Sequence, residues 1–335
     1  MTISSFGDLS HSMSMRRHNA DLRSDFQRLT KEIATGQHHD LTDAVQGGFR
    51  PLAGLEASLT RLSGYEQSSQ QAVLLTDGLQ AVLEQVNARS SEMAPRLLSS
   101  ANSGNSKLLS ASSHAAEVEF ASVVSALTTQ ISGRTLLAGQ DIDTKPLSPA
   151  ADIMTAAKAA VNGLTTAADI STTHETWFQT GGAFETNHYQ GATVPASALV
   201  VGEGVLVSEP LTAIDDDIKE TLRGFVMAAI VSENSNTLPD SERAALAATS
   251  AETLIGANAK LIEQQGRIGT NQALLENRLT EIGTERHAVE LAHSSITAID
   301  PYEAATELQN VESSLELLYT MTARLSRLNL SDFLR

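Results

Sequence analysis

DPYEAATELQNVESSLELLYTMTARLSRLNLSDFLR, residues 300–335, opens with the signals of a helix start. Asp300 can accept a backbone N–H at the N-cap, Pro301 suits the first helical position, and Glu303 completes a capping-box-like pattern. Beyond them Ala304, Leu308, Val311, Leu315, Leu318, Thr322 and Leu325 recur at alternating spacings of three and four, the a and d positions of a heptad. The spacing predicts one helix with a single narrow apolar seam. From Asp300 to Leu328 it would run about 43 Å at 1.5 Å per residue, too far for its own tail to cover. Such a helix needs a partner.

The other end of the chain supplies a matching one. Between Asp8 and Thr35, Leu22, Phe26, Leu29 and Ile33 repeat the four-three-four spacing, and Gly36 stands where a helix C-terminus wants a left-handed residue. Both termini thus present a coiled-coil edge. A chain whose two ends are its most regular and least self-sufficient segments is built to join, to itself or to copies of itself.

Composition agrees with long helices. Aromatic residues make up 4% of the 335, while Ala, Ser, Thr, Leu, Gln and Glu dominate. The formal net charge of −17 argues against a nucleic-acid partner, because phosphate contacts need clustered Lys and Arg. With no cysteine there is no disulfide framework, thiol nucleophile or Cys-based metal site. The first residues carry no apolar h-region of an ordinary signal peptide. No run of about 18 apolar residues appears, so no membrane insertion is expected.

Between the ends, Gly36–Pro51 reads as a connector and Leu52–Leu98 as a long helix, with a seam from Leu52 through Leu59, Leu75 and Val82 to Met93. Pro95 should bend or end it. A polar loop at Ser99–Lys107 precedes a third helix, about Ser110–Arg134. From Asp141 to Leu211 prolines, paired glycines and β-favouring runs appear, such as Thr176–Phe178 and Leu199–Val207 around Gly202-Glu203-Gly204. A helical start at Ile153–Leu164 aside, this stretch reads as a small, mostly β module. Helical periodicity returns at Ile214–Val231. After a turn at Asn234–Pro239 it runs from Asp240 to Ile299, on a seam that Gln272, Arg286 and His293 interrupt, favouring register over stability.

The expected fold is therefore mainly α: a long antiparallel helical bundle or coiled coil formed by both terminal regions, with a small mostly β module inserted. Three domains are expected: residues 1–45 with 300–335 for assembly, 46–140 with 212–299 as a helical rod, and 141–211 as the insertion.

That layout resembles the bacterial flagellin superfamily. LTKEIATGQ (Leu29–Gln37), QISGRTLLAGQD (Gln130–Asp141), RIGTNQALLENR (Arg267–Arg278) and the C-terminal stretch carry the resemblance. The close ARLSRLNLSDFL (Ala323–Leu334) is more similar to the branch of hook–filament junction proteins than to filament flagellins. HHDLTDAVQGGFRP, after Gln37, departs from the Asp-Asp-Ala pattern frequent in both branches. The resemblance implies a structural subunit exported without a cleaved signal peptide to an extracellular flagellum. Its implied partners are copies of itself, the preceding hook-associated junction protein, flagellin and a flagellar export chaperone. The terminal helices would form the inner tube, with Leu22, Phe26, Leu29, Ile33, Leu308, Val311, Leu315, Leu318 and Leu325 as the self-assembly seam. A filament flagellin is the alternative; a secreted enzyme or adhesin carried by the insertion, and a cytosolic coiled-coil scaffold, are more distant ones.

No catalytic residue, cofactor or metal is expected. HETWF (His174–Phe178) has Phe178 where a zinc-protease motif needs its second His, and reads as a strand with exposed polar residues. His38-His39 reads as a solvated loop. Gly202-Glu203-Gly204 lacks the third glycine of a dinucleotide site and suits a hairpin turn. Asp215-Asp216-Asp217 suits the positive N-terminus of a helix better than Ca²⁺.

Overall fold

The computed structural model describes residues 4–45, 48–232 and 238–333. In chain order they form α1 (Ser4–Thr35), α2 (Leu41–Ala44), α3 (Arg50–Asn102), α4 (Ser106–Leu127), the strand pair β1 (Gln130–Ile131) and β2 (Arg134–Thr135), then α5 (Ala150–Ala160), α6 (Ala167–Phe178) and α7 (Ala183–His188). A second hairpin, β3 (Leu199–Gly202) and β4 (Val205–Val207), leads to α8 (Asp216–Ile230), α9 (Asp240–Thr297) and α10 (Pro301–Phe333). The fold is mainly α, long helices with two small antiparallel sheets. Two compact units emerge, residues 1–62 with 284–335 and residues 63–283, and the boundary falls inside α3 and α9.

The second unit holds the main core. Phe120 of α4, Leu97 of α3, Phe225 and Leu222 of α8, Leu246 and Leu254 of α9 and Ile153 and Ile170 of α5 and α6 are all buried. Helix α8 lies within it and is buried over most of its length. That placement demands satisfied polar groups. Ser113 Oγ donates to the Ala229 carbonyl (2.8 Å) and accepts from Ser232 N–H (2.9 Å), while Arg243 Nε donates to the Val231 carbonyl (2.7 Å). The helix end is closed by side chains from α4 and α9.

The interrupted seam of α9 resolves into apolar layers and polar pairs. Leu261, Ile268, Leu275 and Ile282 are buried. Between them Gln272 Nε2 donates to Asp77 (2.7 Å), and Asn87 Nδ2 to Gln265 Oε1 (3.4 Å), both on α3. A slip by one turn would separate both pairs, so they favour the observed register.

Pro95 neither ends nor interrupts α3, which continues to Asn102. Pro95 is itself exposed while Met93, Ala94 and Leu97 are buried, so the helix keeps its buried face through the proline. The third helix stops at Leu127, short of Arg134, because Ser132 (φ 51°) and Gly133 (φ 77°) turn the chain into the β1–β2 hairpin. The 141–211 stretch, expected to be mostly β, is mostly helical, holding α5, α6 and α7, and its strands are confined to the hairpin expected at Leu199–Val207, with Val201 and Val207 packed on Ala72 and Leu275. Thr176–Phe178, read as β-favouring, ends helix α6 instead. Thr166 caps that helix by accepting from Asp169 N–H (3.1 Å), and Trp177, Phe178 and Phe184 cluster with ring centroids 4.7–5.5 Å apart. Local capping and aromatic packing outweigh intrinsic strand preference here. Part of the turn expected at Asn234–Pro239 lies outside the described residues.

One turn admits only glycine. Gly139 has φ 64°, and Ala192 N–H donates to the Ala138 carbonyl (2.9 Å) while Gln140 N–H donates to Val194 (3.1 Å). A Cβ at 139 would collide with the carbonyl oxygens of Ala192 and Val194. Gly104 also has positive φ (63°) but open space around it. We expect Gly139→Ala to destabilise the second unit by about 2 kcal/mol or more and Gly104→Ala by about 1 kcal/mol. Thermal melting of both variants checks this; equal melting temperatures would contradict the close approach.

Candidate assembly surface

The first unit is built on α1 and α10, which pack against each other antiparallel. Helix α10 begins as the sequence indicates: Asp300 Oδ1 accepts from Tyr302 N–H (2.8 Å) and Glu303 N–H (3.3 Å). Helix α1 ends at Gly36, in left-handed conformation (φ 72°), whose N–H returns to the Glu32 carbonyl (2.7 Å). The two breaks are zipped together. His38 N–H donates to Thr297 (2.9 Å) and Ile299 N–H to Gly36 (3.2 Å), making Gln37 and Ala298 an antiparallel bridge.

A buried carboxylate holds this junction. Glu32 is 3% exposed; Oε2 accepts from Arg28 Nη1 (3.0 Å) and Oε1 from His39 N–H (2.8 Å). Leu29, Leu52, Thr297, Ile299 and Ala304 of the same unit are also buried. Further along, Arg23 donates through Nε (3.2 Å) and Nη2 (2.8 Å) to Tyr319 Oη, its guanidinium 5.9 Å from the ring centroid. Neither Glu32 nor the Arg23–Tyr319 pair stands out in the sequence. Heptad analysis tracks apolar residues, and both lie beside that track.

The seam is only part-covered within one chain. Leu29 is buried, at 2% exposure; Leu22, Phe26, Leu308, Val311, Leu315 and Leu318 are half-buried; Ile33 is 38% exposed. Leu325 lies outside the described side chains. Outside the seam Leu317, Met321 and Tyr302 are 57%, 51% and 84% exposed. The pair therefore presents apolar surface along both helices, the property of an incomplete bundle.

The remaining candidates resolve locally. His174 lies in helix α6, fully buried, and not on a strand with exposed polar residues. Its Nε2 donates to the Ala157 carbonyl (3.3 Å) and its Nδ1 is without a partner. His38 and His39 lie in the connector after α1, where their backbone N–H groups do the work just described. Gly202-Glu203-Gly204 turns β3 into β4. Asp216 and Asp217 occupy the first turn of α8, and Asp215 accepts from Thr212 N–H (2.6 Å). Among the described residues no group of three or more His, Asp or Glu could hold a metal ion, and no helix is long and apolar enough to cross a membrane.

Residues 252–334 match the family model of the bacterial flagellin C-terminal helical region, spanning the latter part of α9, the break at Asp300 and α10. No curated protein sequence matches the chain. Among solved structures, one from Vibrio parahaemolyticus assigned as a flagellar hook-associated protein is similar, with TM-score 0.53 and 15% identity over 73% of this chain and 95% of that one. At that identity the likeness is one of fold.

Burial of His174 pushes its pKa down to about 4 from 6.5, and the charge of Arg223 adds to this, against the opposing hydrogen bond to Ala157. The histidine stays neutral in the folded chain while the unfolded chain takes up a proton below pH 6.5. Its contribution is intact above 6.5, falls as pH drops towards 4, and amounts to about 3 kcal/mol. We expect His174→Gln to remove that part of the acid sensitivity. Melting curves between pH 7 and 4.5 check it, and equal slopes for both proteins would refute it.

Proposed function

We propose that this chain, a flagellin-superfamily protein by its C-terminal match and its fold, is a structural subunit of the bacterial flagellum that joins hook to filament. The observation that carries the proposal is the α1–α10 pair, whose seam is half-covered in one chain and whose C-terminal half lies in the flagellin-matching segment. Copies brought side by side would complete the burial, each Leu or Ile contributing about 1.5–3 kcal/mol. The work is mechanical, and the second unit has its own core.

In this reading the chain reaches the extracellular appendage unfolded, and a flagellar chaperone escorts it. The absence of cysteine suits such a passage, since no disulfide has to form. Residues 1–45 and 300–335 form the assembly segments, and residues 141–211 are an insertion in the helical part. The junction role rests on the close Ala323–Leu334 and on the fold shared with the hook-associated protein.

Electron microscopy separates the branches. Purified protein is added to isolated hooks bearing the preceding junction protein, and flagellin follows. A short layer that then accepts flagellin is the expected result; long tubes of this protein alone would make it a filament subunit, and no attachment would refute both. In the same assay Phe26→Asp or Leu315→Asp should abolish incorporation while the second unit keeps its melting temperature. Normal incorporation of either variant would remove the seam from the account.

A further inference from the structure

Between α5 and α6 the chain turns at Val161, Asn162 and Gly163. Val161 caps α5, Asn162 N–H donates to the Ala159 carbonyl (3.3 Å), and Leu164 N–H donates to the Val161 carbonyl (3.1 Å). Val161 is buried, whereas Asn162 and Gly163 are both exposed. Gly163 has φ 84°, and nothing lies within 4 Å of where a Cβ would stand. Among the described residues the Asn162 carboxamide makes no hydrogen bond. Asn162 is also the one asparagine of the sequence that a glycine follows.

We propose that Asn162-Gly163 is a site of spontaneous covalent modification, at which the asparagine passes through a succinimide to aspartate and isoaspartate. The Gly163 backbone nitrogen bonds to Cγ of Asn162 and gives its proton to water. The Cγ–Nδ2 bond breaks, and the amide nitrogen leaves as ammonia. Water then adds to one of the two carbonyls of the cyclic imide, that C–N bond breaks, and a proton returns to the Gly163 nitrogen. Breaking the bond to Cγ leaves aspartate; breaking the bond to the main-chain carbonyl leaves isoaspartate, whose backbone runs through Cβ and Cγ. The sum is amide plus water to carboxylic acid plus ammonia, with nothing oxidised or reduced.

Glycine and the turn together admit the attack. Without a Cβ, residue 163 leaves its nitrogen open to Cγ, and no helical ladder holds the backbone there. Asp77-Gly78, able to form the same ring, lies inside α3, where Gly78 is buried and Ile131 fills the place of a Cβ. Asn105 caps α4, its Oδ1 accepting from Lys107 N–H (3.0 Å) and Leu108 N–H (3.4 Å), and serine follows it. Conversion at Asn162 adds a negative charge to a chain already at −17. Isoaspartate also lengthens the backbone by one carbon beside buried Val161, so the turn records the age of the folded chain.

Ageing the full-length chain in warm, mildly alkaline buffer tests this, independently of the assembly reading. Mass-spectrometric peptide mapping locates the conversion, and an isoaspartyl methyltransferase counts isoaspartate. Conversion at Asn162 should run about tenfold or more ahead of Asn105, and Gly163→Ala should slow it about as much. Asn162→Gln should remove most of the isoaspartate, with circular dichroism confirming that both variants fold. Conversion at Asn162 no faster than at Asn105, or undiminished isoaspartate in Asn162→Gln, would overturn the proposal. Conversion in urea but not in the native chain would show the turn closed to the reaction and overturn it equally.

Discussion

An amphipathic helix with one apolar seam must bury it, and the antiparallel pairing of α1 with α10 satisfies that need only halfway. Leu29 reaches full burial beside Glu32, where the two helix breaks are zipped, but towards the chain ends the seam residues keep part of their surface in water. One partner helix can bury a narrow a/d seam, but here most seam residues stay half-buried and Leu317 and Met321 lie outside it, leaving apolar surface for a further helix to cover. Everything assigned to function follows from that deficit. The junction at Gly36 and Ala298 sets where the pair begins, Arg23 and Tyr319 link it further out, and the exposed apolar residues state what is missing.

The second unit shows the contrast within one chain. There α8 is enclosed, its terminal carbonyls are met by Ser113 and Arg243, and the polar positions of the α9 seam are matched on α3. Its main core is formed within one chain. A subunit divided this way can keep one part folded while the other gains its order on assembly, and the ordering cost then falls on the step that adds the subunit.

The sequence made the helical class, the seams and the break at Asp300 legible, because heptad spacing and an Asp-Pro start are local signals. It placed the Leu199–Val207 hairpin for the same reason. It misread His174, since nothing in HETWF shows that Thr166 caps a helix or that Ala157 waits across the core. Pro95 does not end α3, since one lost hydrogen bond costs less than breaking a helix whose Met93, Ala94 and Leu97 are buried. Glu32 escaped notice: a glutamate on a helix reads as solvated until the chain folds back to give it His39 N–H. The seam residues were readable as apolar positions, but their half-burial exists only in three dimensions.

Hydrogen exchange tests the central claim most directly, with amide protection compared between the free chain and the chain attached to isolated hooks. The account predicts slow exchange in α4 and α8 in both states, and in α1 and α10 a fast exchange that slows by orders of magnitude on attachment. Terminal helices already as protected as α8 in the free chain would contradict it, since a seam complete within one copy would leave assembly nothing to bury.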